Sequence, residues 1–307
     1  MLIAIIITAV LIGAFIGLLA VYNKTFYSPY KNISETQIPD FLNRHPHRDT
    51  SNLRTARLAR LPCEAVTVRS YDGLTLSGRY YKGKSDMPLF ICFHGYRGSA
   101  IRDMHGLGLY LIDEGYNVLL TDERAHWHSG GHTITYGIRE RRDVLSWIGY
   151  ANSRFGTEIP IYLYGISMGG ATVVMASGQT LPENVRGIIS DCPYSSPKAI
   201  IKHVCAKTGL NPALCWPLIR LAALVIGRFN INAATASAEA KKTAVPILLI
   251  HGEGDDFVPT DMSREIKDAN PDMVERVTGP AAGHGQSYLY EPERYQSVVK
   301  DFLQRHP

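Results

Sequence analysis

A serine between glycines is the first feature of the sequence with the means to do chemistry. The stretch IYLYGISMGGAT holds Ser167 between Gly165 and Gly169, where a strand-like apolar run meets small residues that suit a tightly packed helix. A sharp strand-to-helix turn strains its central residue, and side chains on the flanking positions would collide with it. The pattern therefore predicts an exposed hydroxyl beside a helix N-terminus, which favours developing negative charge.

Such a serine needs two partners, because its hydroxyl is a weak nucleophile until a base takes the proton and a carboxylate orients the base. Among eleven histidines, His284 lies in GPAAGHGQSY, a loop between the last strand-like run and the final helix. Loops at strand ends are where such groups converge. We predict that His284 is the base and that His94 and His251, each before a glycine at a strand end, are packing and loop-shaping residues.

Position in the chain identifies the carboxylate that would orient His284 less clearly. Glu253, Asp255 and Asp256 follow the strand-like run VPILLI, and Asp191 ends the run VRGIISD. The chain order serine, acid, histidine fits all four. Order alone therefore leaves the acid open.

Composition narrows the function classes. The 307 residues are 45% hydrophobic and 20% charged with a net charge of +4, and no basic run is interleaved with aromatics, which disfavours nucleic-acid binding. Five cysteines without CxxC spacing indicate neither a disulfide framework nor a zinc site. His126, His128 and His132 have no fitting acidic or cysteine partner nearby in sequence. No metal or cofactor is predicted.

The elements that must position these residues follow an alternating order. EAVTVRS and LTLSGRYY predict a hairpin that turns at Tyr71, Asp72 and Gly73. The apolar runs PLFICF, YNVLL, IYLY, VRGIIS and VPILLI predict strands buried on both faces, with room between them for crossover helices. We expect an α/β fold with a mostly parallel central sheet flanked by helices.

Residues 198–244 depart from that alternation, and we expect this insertion to form a helical cap over Ser167. Arg220 interrupts its apolar sequence, so it should not span a bilayer. Ligand clefts are mostly apolar, so the cap predicts an apolar acyl substrate, with Trp216 and Leu221 contacting long chains. The apolar residues of this stretch are Leu214, Trp216, Leu218, Ile219, Leu221, Leu224, Val225 and Ile226.

The N-terminus predicts a membrane helix. Leu2 to Tyr22 carries no charge and is long enough to cross a hydrocarbon core of roughly 30 Å. No cation precedes the run and Leu18 spoils a small-x-small cleavage site, so we expect an uncleaved anchor in the lipid bilayer rather than a signal peptide. Lys24 and Lys31 follow it, which favours a cytoplasmic body. The expected division is anchor 1–23, linker 24–63 and body 64–307.

From about residue 64 onward the chain resembles the α/β-hydrolase superfamily. The loop HGxxDxxVP, which carries the family's acid, is matched by His251, Gly252, Asp255, Val258 and Pro259. The resemblance implies that Asp255 is the acid and that Asp256 is its solvated neighbour.

The HG loop of that superfamily is matched by FHGYRGS, His94 to Ser99. The resemblance implies an oxyanion hole made by the backbone N–H groups of Tyr96 and Met168, where one donor is typically worth about 3 kcal/mol of barrier. HGYRGSAIRD and DERAHWHSGGHTITYGIRERRDVLSW together resemble bacterial membrane-anchored hydrolases of the prolyl-oligopeptidase and esterase-like branch. Their second segment usually runs RAHGxSxG, and this chain has Trp127 at the first glycine.

The resemblance implies a serine hydrolase that cleaves small-molecule esters or thioesters. A serine aminopeptidase or amidase would use the same triad but needs a charged pocket for a peptide terminus. A non-catalytic binding protein on the same scaffold is a third reading, although such proteins usually lose a triad residue or an elbow glycine.

Overall fold

The computed structural model describes residues 1–28, 35–36, 46–279 and 281–307, and its centre is an eight-stranded sheet in the order β1-β2-β4-β3-β5-β6-β7-β8. Strand β2 is antiparallel to both neighbours, and all other pairs are parallel. The predicted hairpin and mostly parallel sheet are confirmed. The strands are β1 (Glu64–Arg69), β2 (Thr75–Tyr81), β3 (Leu89–Phe93), β4 (Asn117–Thr121), β5 (Ile161–Ile166), β6 (Val185–Asp191), β7 (Ile247–Gly252) and β8 (Val274–Gly279).

Helices cover both faces of this sheet. Every residue of β3, β4, β5 and β7 is buried, which explains why these strands read as unbroken apolar runs. The helices of the described residues are α1 (Leu2–Thr25), α2 (Arg48–Arg60), α3 (Ala100–Asp103), α4 (Leu107–Glu114), α5 (Glu140–Phe155), α6 (Met168–Ala176), α7 (Pro197–Lys207), α8 (Pro212–Val225), α9 (Ala236–Ala240), α10 (Thr260–Ala269), α11 (Ser287–Tyr290) and α12 (Pro292–Arg305).

The insertion between β6 and β7 is helical, as predicted, and supplies α7, α8 and α9. Helix α7 packs against α8, and α8 packs against α1. Asn211 caps α8, because its side chain accepts the backbone N–H of Ala213. Through these contacts, the helical insertion joins α1 to the body.

Helix α1 has two different halves. Within the described residues one helix, Ile5–Thr25, is long and apolar enough to cross a membrane, as an anchor or a signal sequence is. Its carboxyl end nevertheless belongs to the body. Tyr22 and Phe26 are buried, and the Tyr22 hydroxyl lies 2.6 Å from the Thr133 hydroxyl.

The expected linker, residues 24–63, is only partly described. Helix α1 ends at Thr25, two residues beyond the expected end of the anchor, and α2 fills residues 48–60. Residues 29–34 and 37–45 lie outside the described residues. The division of the chain at residues 23 and 63 stays a prediction.

Candidate active site

Ser167 occupies the predicted turn between β5 and α6. Its backbone is in the left-handed region, with φ 56° and ψ −114°, which is unfavourable for a residue with a Cβ. A Cβ on Gly165 would lie 2.2 Å from the carbonyl oxygen of Gly169, and one on Gly169 would lie 2.0 Å from that of Phe93. Both positions therefore accept only glycine, and the tight packing holds the strained serine in place.

The structure brings the three predicted catalytic side chains together. Ser167 Oγ donates to His284 Nε2 at 2.8 Å, and His284 Nδ1 donates to Asp255 Oδ2 at 2.7 Å. His284 lies in the loop after β8, and Asp255 lies in the loop after β7. This arrangement lets a proton move from serine to histidine while the carboxylate stabilises the resulting imidazolium.

The Asp255 carboxylate is fixed by its own loop. The backbone N–H groups of Phe257 and Val258 donate to its Oδ1 at 2.9 and 2.8 Å. His251 Nε2 donates to its other oxygen at 3.2 Å, and His251 Nδ1 lies 2.8 Å from the Ser263 hydroxyl. His251 is predicted to pack and to shape the loop, and its Nε2 also lies 2.9 Å from the Val258 carbonyl of this loop. Its place in the motif HGxxDxxVP, four residues before the acid, was the signal for its contact with Asp255.

The other three candidate acids lie elsewhere. Asp191 accepts a hydrogen bond from Tyr295, Asp256 is exposed and pairs with Lys207, and Glu253 accepts from Thr278. These contacts do not include His284. The structure thus places Asp255, and none of these three, at the histidine.

The electrostatics of the pair follow from burial and proximity. Burial alone would raise the pKa of Asp255. The facing His284 ring and the hydrogen bonds that the carboxylate accepts nevertheless hold the pKa of Asp255 well below its ordinary value. Burial would lower the pKa of His284, but the Asp255 carboxylate raises it. Asp255 therefore stays ionised and orients the His284 ring, whose role as the base stays a prediction.

The HG loop lies against the nucleophile. A Cβ on Gly95 would be 3.3 Å from the Ser167 Cβ. Asp103 accepts the Gly95 N–H at 2.8 Å, and His126 Nε2 accepts the Arg97 N–H at 3.1 Å, so both ends of Tyr96 are fixed. Met168 begins α6, where the first amides have no carbonyl partner within the helix. The role of the Tyr96 and Met168 amides as oxyanion donors stays a prediction.

This loop is also held by the end of α1. The Tyr96 hydroxyl donates to the Thr25 carbonyl at 2.9 Å, and Arg97 Nη2 donates to the Lys24 and Tyr27 carbonyls at 3.0 Å each. A cation at a helix C-terminus satisfies orphan carbonyls and complements the helix dipole. The contacts join residues about 70 positions apart, so sequence reading missed them.

Trp127 has a left-handed backbone conformation at the position where the hydrolases that the chain resembles have glycine. Its φ is 43°, and its indole N–H donates to the Gly98 carbonyl of the HG loop at 2.8 Å. The neighbouring histidines have separate contacts: His126 is buried against Arg97, His128 contacts Glu35 and His132 stacks on Tyr27. The substitution thus preserves the turn and adds a contact to the loop.

A cavity of about 510 Å³ contains Ser167 and His284 and extends beneath the cap. Much of its apolar lining comes from α1, α7 and α8, and its polar lining includes residues of α1, of the HG loop and of the two segments around α3 and α11. The apolar residues include Val21, Ile200, Ile201, Val204, Leu218 and Ile219. The charged and polar residues include Lys24, Arg97, Arg102, Asp103, His105 and Gln286.

The predicted acyl contacts of Trp216 and Leu221 are wrong. Neither residue lines the cavity, because the turn of α8 directs Leu218 and Ile219 into it. Trp216 instead packs partly buried against the core, and Leu221 is 46% exposed. The periodicity of α8 was readable from sequence, but its rotation about its axis was not.

One group of potential metal ligands overlaps the triad. Ligand atoms of Cys192, Asp255 and His284 lie within 4.8 Å of one another. Burial raises the pKa of the Cys192 thiol well above its ordinary value, so without a metal the sulfur is a neutral thiol. The expectation of no metal or cofactor stays a prediction.

Comparison with known proteins points to one superfamily. The family described as "Serine aminopeptidase, S33" matches residues 86–227, a range that includes Ser167 but ends before Asp255 and His284. Uncharacterized protein YqkD of Bacillus subtilis is 26% identical over 251 residues, covering 78% of each chain. Lysophosphatidylserine lipase ABHD12 of Danio rerio is 23% identical, covering 73% of this chain and 60% of its own.

Solved structures share the architecture. The esterase Pf2001 of Pyrococcus furiosus superimposes with a TM-score of 0.68 at 22% identity, covering 92% of this chain and 98% of its own. The ferulic-acid complex of Est1E from Butyrivibrio proteoclasticus gives a TM-score of 0.59 at 22% identity, covering 78% and 98%. With its eight-stranded sheet, its strained serine between β5 and α6 and these matches, the chain has the α/β-hydrolase fold.

Proposed function

We propose that the protein is a membrane-anchored serine hydrolase that cleaves carboxylic ester or thioester bonds. The observation that carries the proposal is the continuous hydrogen-bonded relay from Ser167 through His284 to Asp255, at the wall of a largely apolar cavity. Esterases and a lipase among the similar proteins support the same reaction class.

The reaction proceeds in two halves. Ser167 Oγ attacks the substrate carbonyl while His284 Nε2 takes its proton, and the N–H groups of Tyr96 and Met168 stabilise the tetrahedral oxyanion. His284 then returns the proton to the leaving alcohol or thiol, which leaves an acyl-serine. Water, deprotonated by His284, attacks this ester, and the acid leaves as Ser167 regains its proton.

The cavity supports an apolar acyl group. Ile200, Ile201 and Val204 of α7 line it together with Leu218 and Ile219 of α8. Each methylene buried there contributes about 0.8 kcal/mol, so kcat/KM should rise several-fold with each of the first added carbons. Purified protein assayed on p-nitrophenyl esters graded in acyl length tests this, and a flat or falling profile would reject the apolar-acyl substrate.

The name of the matching family makes serine aminopeptidase a second candidate. An aminopeptidase needs a carboxylate for the substrate ammonium, and the cavity offers Asp103. That carboxylate is already paired with Arg102 at 2.6 Å and accepts the Gly95 N–H. With Lys24, Arg97 and Arg102 also present, the lining favours a neutral or anionic substrate. Turnover of an aminoacyl-p-nitroanilide that exceeds ester turnover would reverse this choice.

A non-catalytic binding protein is disfavoured by what the chain retains. Ser167, His284, Asp255 and both glycines of the turn are present in a competent arrangement. Failure of a fluorophosphonate probe to label the folded protein would favour the binding role.

We propose that α1 anchors the protein in a bilayer, with residues 1–23 as anchor, 24–63 as connection and 64–307 as the catalytic body. The uncharged apolar surface of α1 supports the anchor, and Lys24 and Lys31 favour a cytoplasmic body. A cysteine-reactive, membrane-impermeant reagent applied to intact cells should leave the exposed Cys63 unmodified. Modification without lysis would place the body outside.

A further inference from the structure

The outward face of α8 carries more apolar surface than a solvated helix normally does. Positions 214, 218, 221 and 225 recur at helical spacing, and Ile219, Ala222 and Ala223 on the opposite face are buried. A continuous exposed patch of large apolar side chains marks an interaction site. The exposed residues are Leu214 (70%), Leu218 (52%), Leu221 (46%), Leu224 (45%) and Val225 (52%).

This face lies next to the helix that has the properties of a membrane anchor. Helix α8 packs against α1, whose described side chains are exposed up to Gly17 and begin to contact the body at Leu18. The exposed part, residues 2–17, is about 24 Å long, close to the roughly 30 Å of a hydrocarbon core. With this part in a bilayer, the membrane surface lies at the level where α8 meets α1.

The cavity reaches the same place. Val21, Lys24 and Thr25 of α1 and Leu218 of α8 belong to its lining. Leu218 is also half exposed, so it lies where the cavity meets the outer surface of the cap. The mouth between α1 and α8 is therefore continuous with the outward face of α8.

We propose that the outward face of α8 lies in the membrane surface beside α1, so that the cavity opens to the bilayer and takes an amphiphilic ester directly from it. The exposed cations Lys24 and Arg220 flank this face at the level of the lipid headgroups. The acyl chain enters between α1 and α8, and the polar part of the ester faces Arg97, Arg102 and His105. The nature of this substrate rests on the proposed ester hydrolysis, whereas the membrane contact of α8 does not.

Depth-dependent quenching tests the membrane contact without any activity. In full-length protein reconstituted in phosphatidylcholine vesicles, the emission that Leu221→Trp adds to that of the three native tryptophans should be quenched when the lipid acyl chains are brominated. The matched control, Glu158→Trp, replaces an exposed residue in the loop before β5, at the end of the parallel strands opposite Ser167, and the emission that it adds should not be quenched. Absence of quenching at position 221, or equal quenching at both positions, overturns the proposal, as does α8 pairing with a second copy of the chain.

Activity tests the consequence for substrate delivery. In Leu221→Ser/Leu224→Ser, which leaves the cavity lining intact, hydrolysis of a long-chain ester in vesicles should fall roughly tenfold, while hydrolysis of a water-soluble acetate ester is unchanged. Leu53→Ser on α2 should leave both rates unchanged. Equal rates on vesicle substrate in the double variant and wild type would overturn the proposal. If wild type hydrolyses neither ester, the proposed function fails, and the quenching still decides whether α8 contacts the bilayer.

Discussion

Two buried aspartates, Asp191 and Asp255, lie at the ends of the neighbouring parallel strands β6 and β7. Of the two, Asp255 is the one hydrogen-bonded to His284. Asp255 follows β7 and accepts hydrogen bonds from two backbone amides and two histidines. Asp191 ends β6, accepts one from Tyr295, and its Oδ1 has no hydrogen-bond partner in the described part of the chain.

Their pKa values diverge for this reason. Burial raises the pKa of Asp191 to about 6, although the Tyr295 hydrogen bond opposes the shift. The same burial at Asp255 is outweighed by His284 and the donors around it, so the pKa falls. The charge of the facing His284 and the donors around Asp255, rather than position at a strand end, give it the lower of the two pKa values.

The largest expected effect separates the two residues directly. Asp255→Asn should lower kcat by roughly 10³- to 10⁴-fold, because the amide cannot stabilise the imidazolium or fix its tautomer. Asp191→Asn should change kcat by less than about threefold. Steady-state kinetics of both purified variants, with circular dichroism as a control for folding, measures the contrast. A reversed order of the two effects would move the acid to β6.

A second, smaller effect concerns the histidine that holds Asp255. His251→Leu removes one donor from the carboxylate but keeps its backbone donors, so kcat should fall about tenfold with KM nearly unchanged. The variant Asp256→Asn, on the exposed neighbour, is the control and should match wild type. An unchanged kcat in His251→Leu would limit His251 to packing and loop shaping.

The pH dependence of kcat/KM tests the influence of the Asp255 charge on His284. His284 acts as a base only when neutral, and Asp255 raises its pKa, so kcat/KM should fall as the pH drops through that raised pKa. In Asp255→Asn the raising charge is gone, and the acid limb of the residual activity should move to lower pH by about one unit. An acid limb at the same pH in both proteins would mean that another group controls it.

The smallest effect is on stability at Asp191. Its folded pKa lies above the unfolded value, so the native state binds more protons and stability declines as the pH rises from about 4 to about 6. Asp191→Asn should remove this decline, and the melting temperature should vary less between pH 4 and pH 7 than in wild type. A slope as steep as that of wild type would assign the pH dependence to other groups.

The sequence alone predicted the sheet, the strained serine turn and, through the HGxxDxxVP resemblance, the aspartate that lies at His284. These features are local: apolar runs mark buried strands, and glycines mark positions where a Cβ would clash. The contacts of Arg97 with the end of α1 and the rotation of α8 that puts Leu218, not Leu221, into the cavity depend on packing between distant segments. No local pattern encodes them.

The central claim is that Ser167 is the nucleophile. Purified wild type treated with a fluorophosphonate should gain one covalent adduct, and mass spectrometry of the digested protein should place it on the peptide containing Ser167. Ser167→Ala should lack the adduct and lose ester hydrolysis by several orders of magnitude while remaining folded. An adduct on another residue, or near wild-type turnover in folded Ser167→Ala, would contradict the account.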